Sequence, residues 1–174
     1  MIKTSVQSPS SIVMIRPHHF TVNAETAIDN AFQVRKIPQK ELGNSAYQEI
    51  TEAAKILSNH GIKVHIFENK DPKIPDSVFP NNWFSTHPGG YIAVYPMKAP
   101  SRRLERRWDI LEMLKSKYKV NHIIDYSGLE YDNLFLEGTG SMVLDHINRV
   151  AYAIESDRTN LIVLERFCKD FNYE

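Results

Sequence analysis

Residues 135–154 read FLEGTGSMVLDHINRVAYAI, and the architecture turns on how this stretch is parsed. An apolar arm from Phe135 to Asp145, a turn at His146 to Asn148 and a second arm from Arg149 to Ile154 make a β-hairpin. Leu161, Leu164, Phe167 or Cys168, and Phe171 then recur at helical spacing. The same order stands about sixty residues earlier, an offset within the range of repeat architectures. There Val78 to Thr86 and Tyr91 to Tyr95 are the arms, and His87-Pro-Gly-Gly90 is the turn. A helix over 101–118 follows, with Leu104, Trp108, Leu111 and Leu114 on one side, and Val120 to Ile124 reads as the next strand. No strand is expected between the last helix and Glu174, so the array reads as incomplete.

Upstream, Ser11 to Pro17 reads as a buried strand, apolar and stopped by proline. Residues 18–43 are polar and mixed, a loop with a short helical piece. Ser45 stands three residues before Gln48, a capping-box spacing that starts a helix there. Tyr47, Ile50, Ala54 and Leu57 form its apolar face, Gly61 ends it, and Ile62 to Phe67 is the strand after it. The chain is expected to be one α/β domain of three units, about 11–67, 76–125 and 135–174.

The composition excludes several classes. Of 174 residues, 21 are Lys or Arg and 21 are Asp or Glu, so the formal charge is zero. Binding to nucleic acid or an anionic membrane calls for a dense basic face, which a balanced chain does not suggest. Arg102, Arg103, Arg106 and Arg107 cluster, but Glu105 and Asp109 interleave them, the pattern of a solvated helix face. Cys168 is the only cysteine, which rules out an intramolecular disulfide and a cysteine zinc site. The polar N-terminus lacks the apolar core of a signal peptide, and no apolar run approaches a membrane span. A cytoplasmic protein is expected, with no cofactor and no metal. The seven histidines show no metal-ligand spacing and read as surface or structural residues.

Two segments could carry chemistry, Pro75-Asp-Ser-Val-Phe-Pro-Asn-Asn-Trp83 and Phe135-Leu-Glu-Gly-Thr-Gly-Ser141. Each sets an acid, Asp76 or Glu137, at the start of an apolar hairpin. Two carboxylates converging there could clamp a planar guanidinium, whose charge and forked N–H groups match them. Against this stand a plain turn residue after Pro75 and a surface acid beside flexible glycines. Arg102 and Arg158 both begin helices, where the helix dipole disfavours a cation. Such arginines can instead reach a substrate carboxylate, or they are ordinary surface residues.

Taken in order, seven stretches resemble the amidinotransferase and dimethylargininase-like enzymes, the pentein superfamily of five-bladed α/β-propellers. They are Met14-Ile-Arg-Pro17, Phe32-Gln33, Pro75-Asp-Ser-Val-Phe79, Asn81-Asn-Trp83, Tyr95-Pro-Met97 with Arg102-Arg103, Leu136-Glu-Gly-Thr-Gly-Ser141 and Asp157-Arg-Thr-Asn160. The likeness is strongest to a bacterial citrulline-hydrolase branch, and it covers most of the chain. It implies a pentein-type α/β-propeller of ββαβ repeats, here about half of the five blades. It implies Asp76 and Glu137 on the guanidino or ureido nitrogens of a small amino acid such as citrulline, arginine or a derivative. Arg102 and Arg158 would hold the α-carboxylate. Asn82 stands where related enzymes often have an acid at the amino-acid end.

In the resembling enzymes a cysteine thiolate attacks the central carbon, a histidine shuttles protons, and the covalent adduct is hydrolysed or passed to an amine. No catalytic nucleophile or general base is identifiable here, and Cys168 among Leu164 and Phe171 reads as an inert core cysteine. The expectation is therefore an inactive N-terminal half of a hydrolase or amidinotransferase, whose exposed blade edges would self-associate. The alternative is a non-catalytic propeller module that binds a protein partner. A nucleotide site is weak, because Gly138-Thr-Gly140 lacks the dinucleotide-loop spacing and no P-loop lysine follows.

Overall fold

In the computed structural model residues 6–27 and 39–174 are described. They fall into two compact units, residues 9–80 and residues 6–8 with 81–174. The expected helical piece within 18–43 and the Phe32-Gln33 stretch lie wholly or largely outside the described residues.

The unit of residues 9–80 is a parallel strand pair joined by a helix. β1 (Ser11–Pro17) pairs with β2 (Lys63–Asn69) from Ser11↔Lys63 to Pro17↔Asn69. Between them runs α1 (Gln39–Asn59), which packs on both strands. Register is pinned by a cross-strand ion pair: Arg16 faces Glu68, donates to it through Nε at 2.9 Å, and lies over the Tyr47 ring. β1 is less buried than its apolar sequence suggests, for only Ile15 and Pro17 are shut off from solvent.

α1 begins six residues before Ser45, and both Ser45 and Gln48 are exposed inside it rather than capping it. Gly43 does not stop the helix. It is buried beside Phe20, whose carbonyl oxygen would stand 3.4 Å from a Cβ there, an ordinary contact. The C-terminal end follows the expectation. Gly61 takes φ +81°, and the Ile62 N–H returns to the Leu57 carbonyl at 3.0 Å.

In the other unit, β3 (Phe84–His87) pairs antiparallel with β4 (Tyr91–Val94), and β4 pairs parallel with β5 (His122–Asp125). A second hairpin joins β6 (Met142–Asp145) and β7 (Val150–Ala153). Both first arms are shorter than their apolar runs. Residues 76–83 form turns with a 3-10 turn at Pro80–Asn82, and Gly138–Ser141 is a one-turn helix, α4. The long helix expected over 101–118 is two, α2 (Pro100–Arg103) and α3 (Trp108–Lys117). The break swings Leu104 and Trp108 outward and leaves Ile110, Leu111 and Leu114 to make the buried face.

α5 (Leu161–Phe171) starts at Asn160, whose side chain accepts the Ile162 N–H at 3.0 Å. It buries Val163, Phe167 and Phe171 against Ala93, Tyr95, Tyr126, Leu136 and Met142. After α5 the chain returns to β7, where Ala151 N–H donates to the Glu174 carbonyl at 2.7 Å. The return from α3 is alike, for Asn121 N–H donates to the Gly90 carbonyl at 2.8 Å before β5 begins. The hairpin-plus-helix repeat is therefore present. The described sheets have two, three and two strands, and none closes into a barrel.

His87 is built into this core. Its Nε2 meets Ser85 Oγ at 2.6 Å, that hydroxyl meets Tyr95 OH at 2.6 Å, and the Phe171 ring centroid is 4.3 Å away. Burial, with the nearby His146 and Arg149 adding to it, pushes His87 down to about 3. An unfolded histidine titrates near ~6.5, so the folded chain binds fewer protons below that pH. Stability is full above that value and falls as pH drops toward the folded value. Urea unfolding at pH 5 should give a free energy about 2 kcal/mol lower than at pH 7 from this group. In His87→Gln most of that difference should vanish; an unchanged difference would assign the acid sensitivity elsewhere.

Candidate functional site

Each unit holds one of the two expected acids, and both acids are buried. In the unit of residues 9–80, Asp76 follows the turn that Asn69 organises. Asn69 Nδ2 donates to the Ile74 carbonyl at 3.1 Å and to Ser77 Oγ at 2.9 Å. Asp76 is a turn residue as well, its carbonyl accepting the Phe79 N–H at 3.1 Å. Its carboxylate, however, points at partners rather than solvent: Oδ2 accepts from Asn23 Nδ2 at 2.8 Å and Thr26 Oγ1 at 3.4 Å. Asn23 and Thr26 had no sequence signal, since both fall in a polar stretch that reads as loop.

In the other unit, Glu137 is 1% exposed, which removes the reading of it as a surface acid. Its backbone N–H donates to Ser141 Oγ at 2.8 Å, and that hydroxyl donates to the Arg158 carbonyl at 2.5 Å. Its Oε1 accepts the Lys98 backbone N–H at 3.0 Å. Its Oε2 faces Arg102 Nη1 at 3.5 Å and Arg158 Nη1 at 3.7 Å. Three of the expected residues, Glu137, Arg102 and Arg158, thus meet. Asn82 joins them through the glycine turn, with Oδ1 accepting from Thr139 Oγ1 at 3.3 Å.

Glycine is required in that turn. Gly138 has φ +35°, and a Cβ on it would stand 2.3 Å from the Asn81 carbonyl oxygen. The turn can therefore lie flat on Asn81 and Asn82, which sets the height at which Glu137 leaves the backbone.

The arginine cluster is not the solvated helix face its sequence suggests. Arg102 and Glu105 are buried as a forked pair, with Nε–Oε1 at 2.8 Å and Nη2–Oε2 at 3.0 Å. Glu130 takes Arg106 Nη1 at 2.5 Å and Nη2 at 3.0 Å, and also accepts the Met97 N–H at 2.8 Å. Arg103 donates to the Met97 and Lys98 carbonyls at 3.0 and 3.1 Å. The dipeptide that offers its N–H to Glu137 is thus clamped on both sides. Helix breakage at 104–107 turns these groups inward, and sequence spacing carries no sign of it.

Arg158 is the accessible member, with about a third of its side chain exposed. Lys98 Nζ pairs at 2.9 Å with Asp157, the residue before Arg158. A cavity of about 50 Å³ lined by Trp83, Arg106, Trp108 and Leu111 includes none of Arg102, Glu137 or Arg158. Among the described residues no group of three or more His, Cys, Asp or Glu could hold a metal ion. None of the described helices is long and apolar enough to cross a membrane. Cys168 is half-buried on α5, and burial followed by the nearby Glu165 raises its thiol, the reverse of what a nucleophile needs.

Residues 16–174 match the family described as N,N dimethylarginine dimethylhydrolase, eukaryotic. The fold is similar to the substrate-bound N-terminal domain of ArgZ, an arginine dihydrolase from the ornithine-ammonia cycle in cyanobacteria. That match has a TM-score of 0.64 at 16% identity and covers 94% of this chain and 55% of the other. AgrE in complex with L-arginine gives 0.65 at 18% identity, over 91% of this chain and 22% of the other. A dimethylarginine dimethylaminohydrolase adduct with S-methyl-L-thiocitrulline gives 0.63 at 17%, over 94% and 58%. The chain therefore spans little more than half the length of the matched domains. No curated protein sequence matches it.

The glycine turn gives a direct test of this geometry. Gly138→Ala should lower stability by roughly 1–3 kcal/mol, since both the φ and the Asn81 carbonyl oppose a Cβ. Gly128→Ala, where a Cβ meets nothing within 4 Å, should be close to neutral. Thermal unfolding of the two variants checks the difference.

Proposed function

We propose, because this chain belongs to the N,N-dimethylarginine dimethylhydrolase family, that it forms the amino-acid-binding part of a guanidino- or ureido-group site. The observation that carries the reading is Glu137: a carboxylate closed off from solvent, fixed by a backbone N–H and flanked by two arginines. Burying an acid is unfavourable unless cations or donors answer it. Here Oε1 is well answered at 3.0 Å, while Oε2 has its nearest cations at 3.5 and 3.7 Å. A ligand guanidinium would bring a cation and planar N–H donors to that oxygen.

In this reading Glu137 holds the guanidino or ureido nitrogens, so that the central carbon is presented in one orientation, and Asp76 is proposed as an acid of the same kind in the unit of residues 9–80. Arg158, with Arg102 behind it, meets the α-carboxylate, and Asn82 hydrogen-bonds the amino-acid end without adding charge. The ligand class is arginine, Nω-methylated arginine or citrulline. The three repeats, about 11–67, 76–125 and 135–174, are each proposed to be a blade of a pentein α/β-propeller. Cys168, with its raised thiol on a packed helix, does not suit nucleophilic attack on the ligand's carbon. The chain by itself is therefore proposed to bind without turnover, whether the chemistry of the site is hydrolysis or group transfer.

Titration calorimetry with L-arginine, Nω,Nω-dimethyl-L-arginine and L-citrulline tests this. At least one should bind, and Glu137→Gln should weaken it by about tenfold or more, equivalent to ~1.4 kcal/mol. Cys168→Ser should leave the affinity unchanged. Binding that is absent at millimolar ligand, or indifferent to Glu137→Gln, would overturn the reading. Ammonia release that disappears in Cys168→Ser would overturn binding without turnover.

A further inference from the structure

Arg102 lies between two buried carboxylates and is shared unequally. Glu105 takes its fork, two short bonds at 2.8 and 3.0 Å, whereas Glu137 meets Nη1 at 3.5 Å. Glu105 is 2% exposed and Glu137 is 1% exposed, so water does little to screen the competition. A guanidinium can present its Nε/Nη2 edge to one carboxylate at a time, and that acid takes the stronger attraction. Holding α2 in place does not need a second buried acid, since a buried ion pair contributes little net stability over an apolar pair of similar volume.

We propose that Glu105 is a positioning residue that draws Arg102 away from Glu137 and so keeps Glu137 Oε2 available to a cationic ligand group. The proposal rests on the reading of Glu137 as the guanidinium-binding acid. Without Glu105, Arg102 loses its fork, with Glu137 Oε2 3.5 Å from its Nη1. The 3.5 Å gap then closes to a fork, and the oxygen meant for the ligand is occupied. A cationic guanidinium loses more from this than a neutral ureido group of the same shape. Glu105 therefore sets how strongly the site prefers arginine-type over citrulline-type ligands, without touching either.

The near-isosteric Glu105→Gln tests this in the full chain with two measurements. The first is the ratio of the L-citrulline and L-arginine dissociation constants by calorimetry. It should fall by about tenfold in the variant, the size of effect expected when a charged hydrogen bond is lost. A purely structural role would weaken both ligands alike and leave the ratio unchanged, which would overturn the proposal. The second is the ligand-free crystal structure of the variant, in which Arg102 and Glu137 should close to about 2.8–3.0 Å. An unclosed gap would also overturn it. If the native chain binds neither amino acid, the reading of Glu137 fails, and the gap alone still decides whether Glu105 restrains Arg102.

Should Glu105→Gln not fold, Arg102→Met combined with Glu105→Leu replaces the pair by apolar groups of similar volume. That double variant has no cation competing for Glu137 beside α2. It should weaken both ligands yet keep the native arginine preference; loss of the preference would sink the proposal.

Discussion

A single buried carboxylate organises the larger unit. Glu137 can be 1% exposed only because three chain segments bring its carboxylate donors or cations, the backbone at Lys98, the helix start at Arg102 and the turn at Arg158, while Ser141 Oγ accepts the Glu137 N–H. An unanswered carboxylate at that depth would cost several kcal/mol. Each of those segments is therefore constrained in position by the same group. The constraint spreads outward, because the Met97–Lys98 backbone that answers Glu137 is itself gripped by Arg103 and by Glu130.

Among the described residues, several ion pairs cluster around Glu137. Arg102 and Arg158 face Glu105 and Glu137, two cations for two acids, and Glu130 is paired with Arg106 and approached by Arg103 at 3.5 Å. Such a cluster adds little net stability compared with apolar packing, but removing one member leaves a buried charge without a partner. What it does supply is geometry. Forked arginine–carboxylate bonds fix both position and plane, which would serve the proposed recognition of a planar ligand group.

The sequence showed the acids and the first-order layout, and hid what holds them. Asp76 and Glu137 stood out because an acid at the head of an apolar hairpin is unusual, and Arg102 and Arg158 because a helix start disfavours a cation. Glu105 was invisible for a physical reason. An acid interleaved with arginines has the signature of a solvated helix, and here the helix breaks at 104–107 and turns the Arg102–Glu105 pair inward. The alternation around Val78 and Phe79 reads as a strand, yet the Asp76 turn and the Pro80–Asn82 turn use that segment, and Phe79 is left exposed. The hairpins and the two N-terminal strands were legible to within a few residues, while the α5 face was read only in part, since Leu161 is exposed and Val163 is buried beside Phe167 and Phe171.

Why these residues meet follows from antiparallel pairing itself. In a hairpin the residue before the first strand and the residue after the second are neighbours, whatever lies between them. Trp83 and Tyr95 are joined this way at the base of β3–β4, and Leu136 and Thr159 at the base of β6–β7. Anything placed just before β3 or β6 is thus brought to the same sheet end as whatever follows β4 or β7. Asn82 and Arg102 occupy those places in one repeat, Glu137 and Arg158 in the next. The polar cluster is the product of one rule applied twice, with the two hairpin bases meeting through the glycine turn at Gly138. Two copies of a simple supersecondary unit can therefore build a buried ionic site without any long functional loop, because the fold delivers its ends to one place and the side chains found there decide what it recognises.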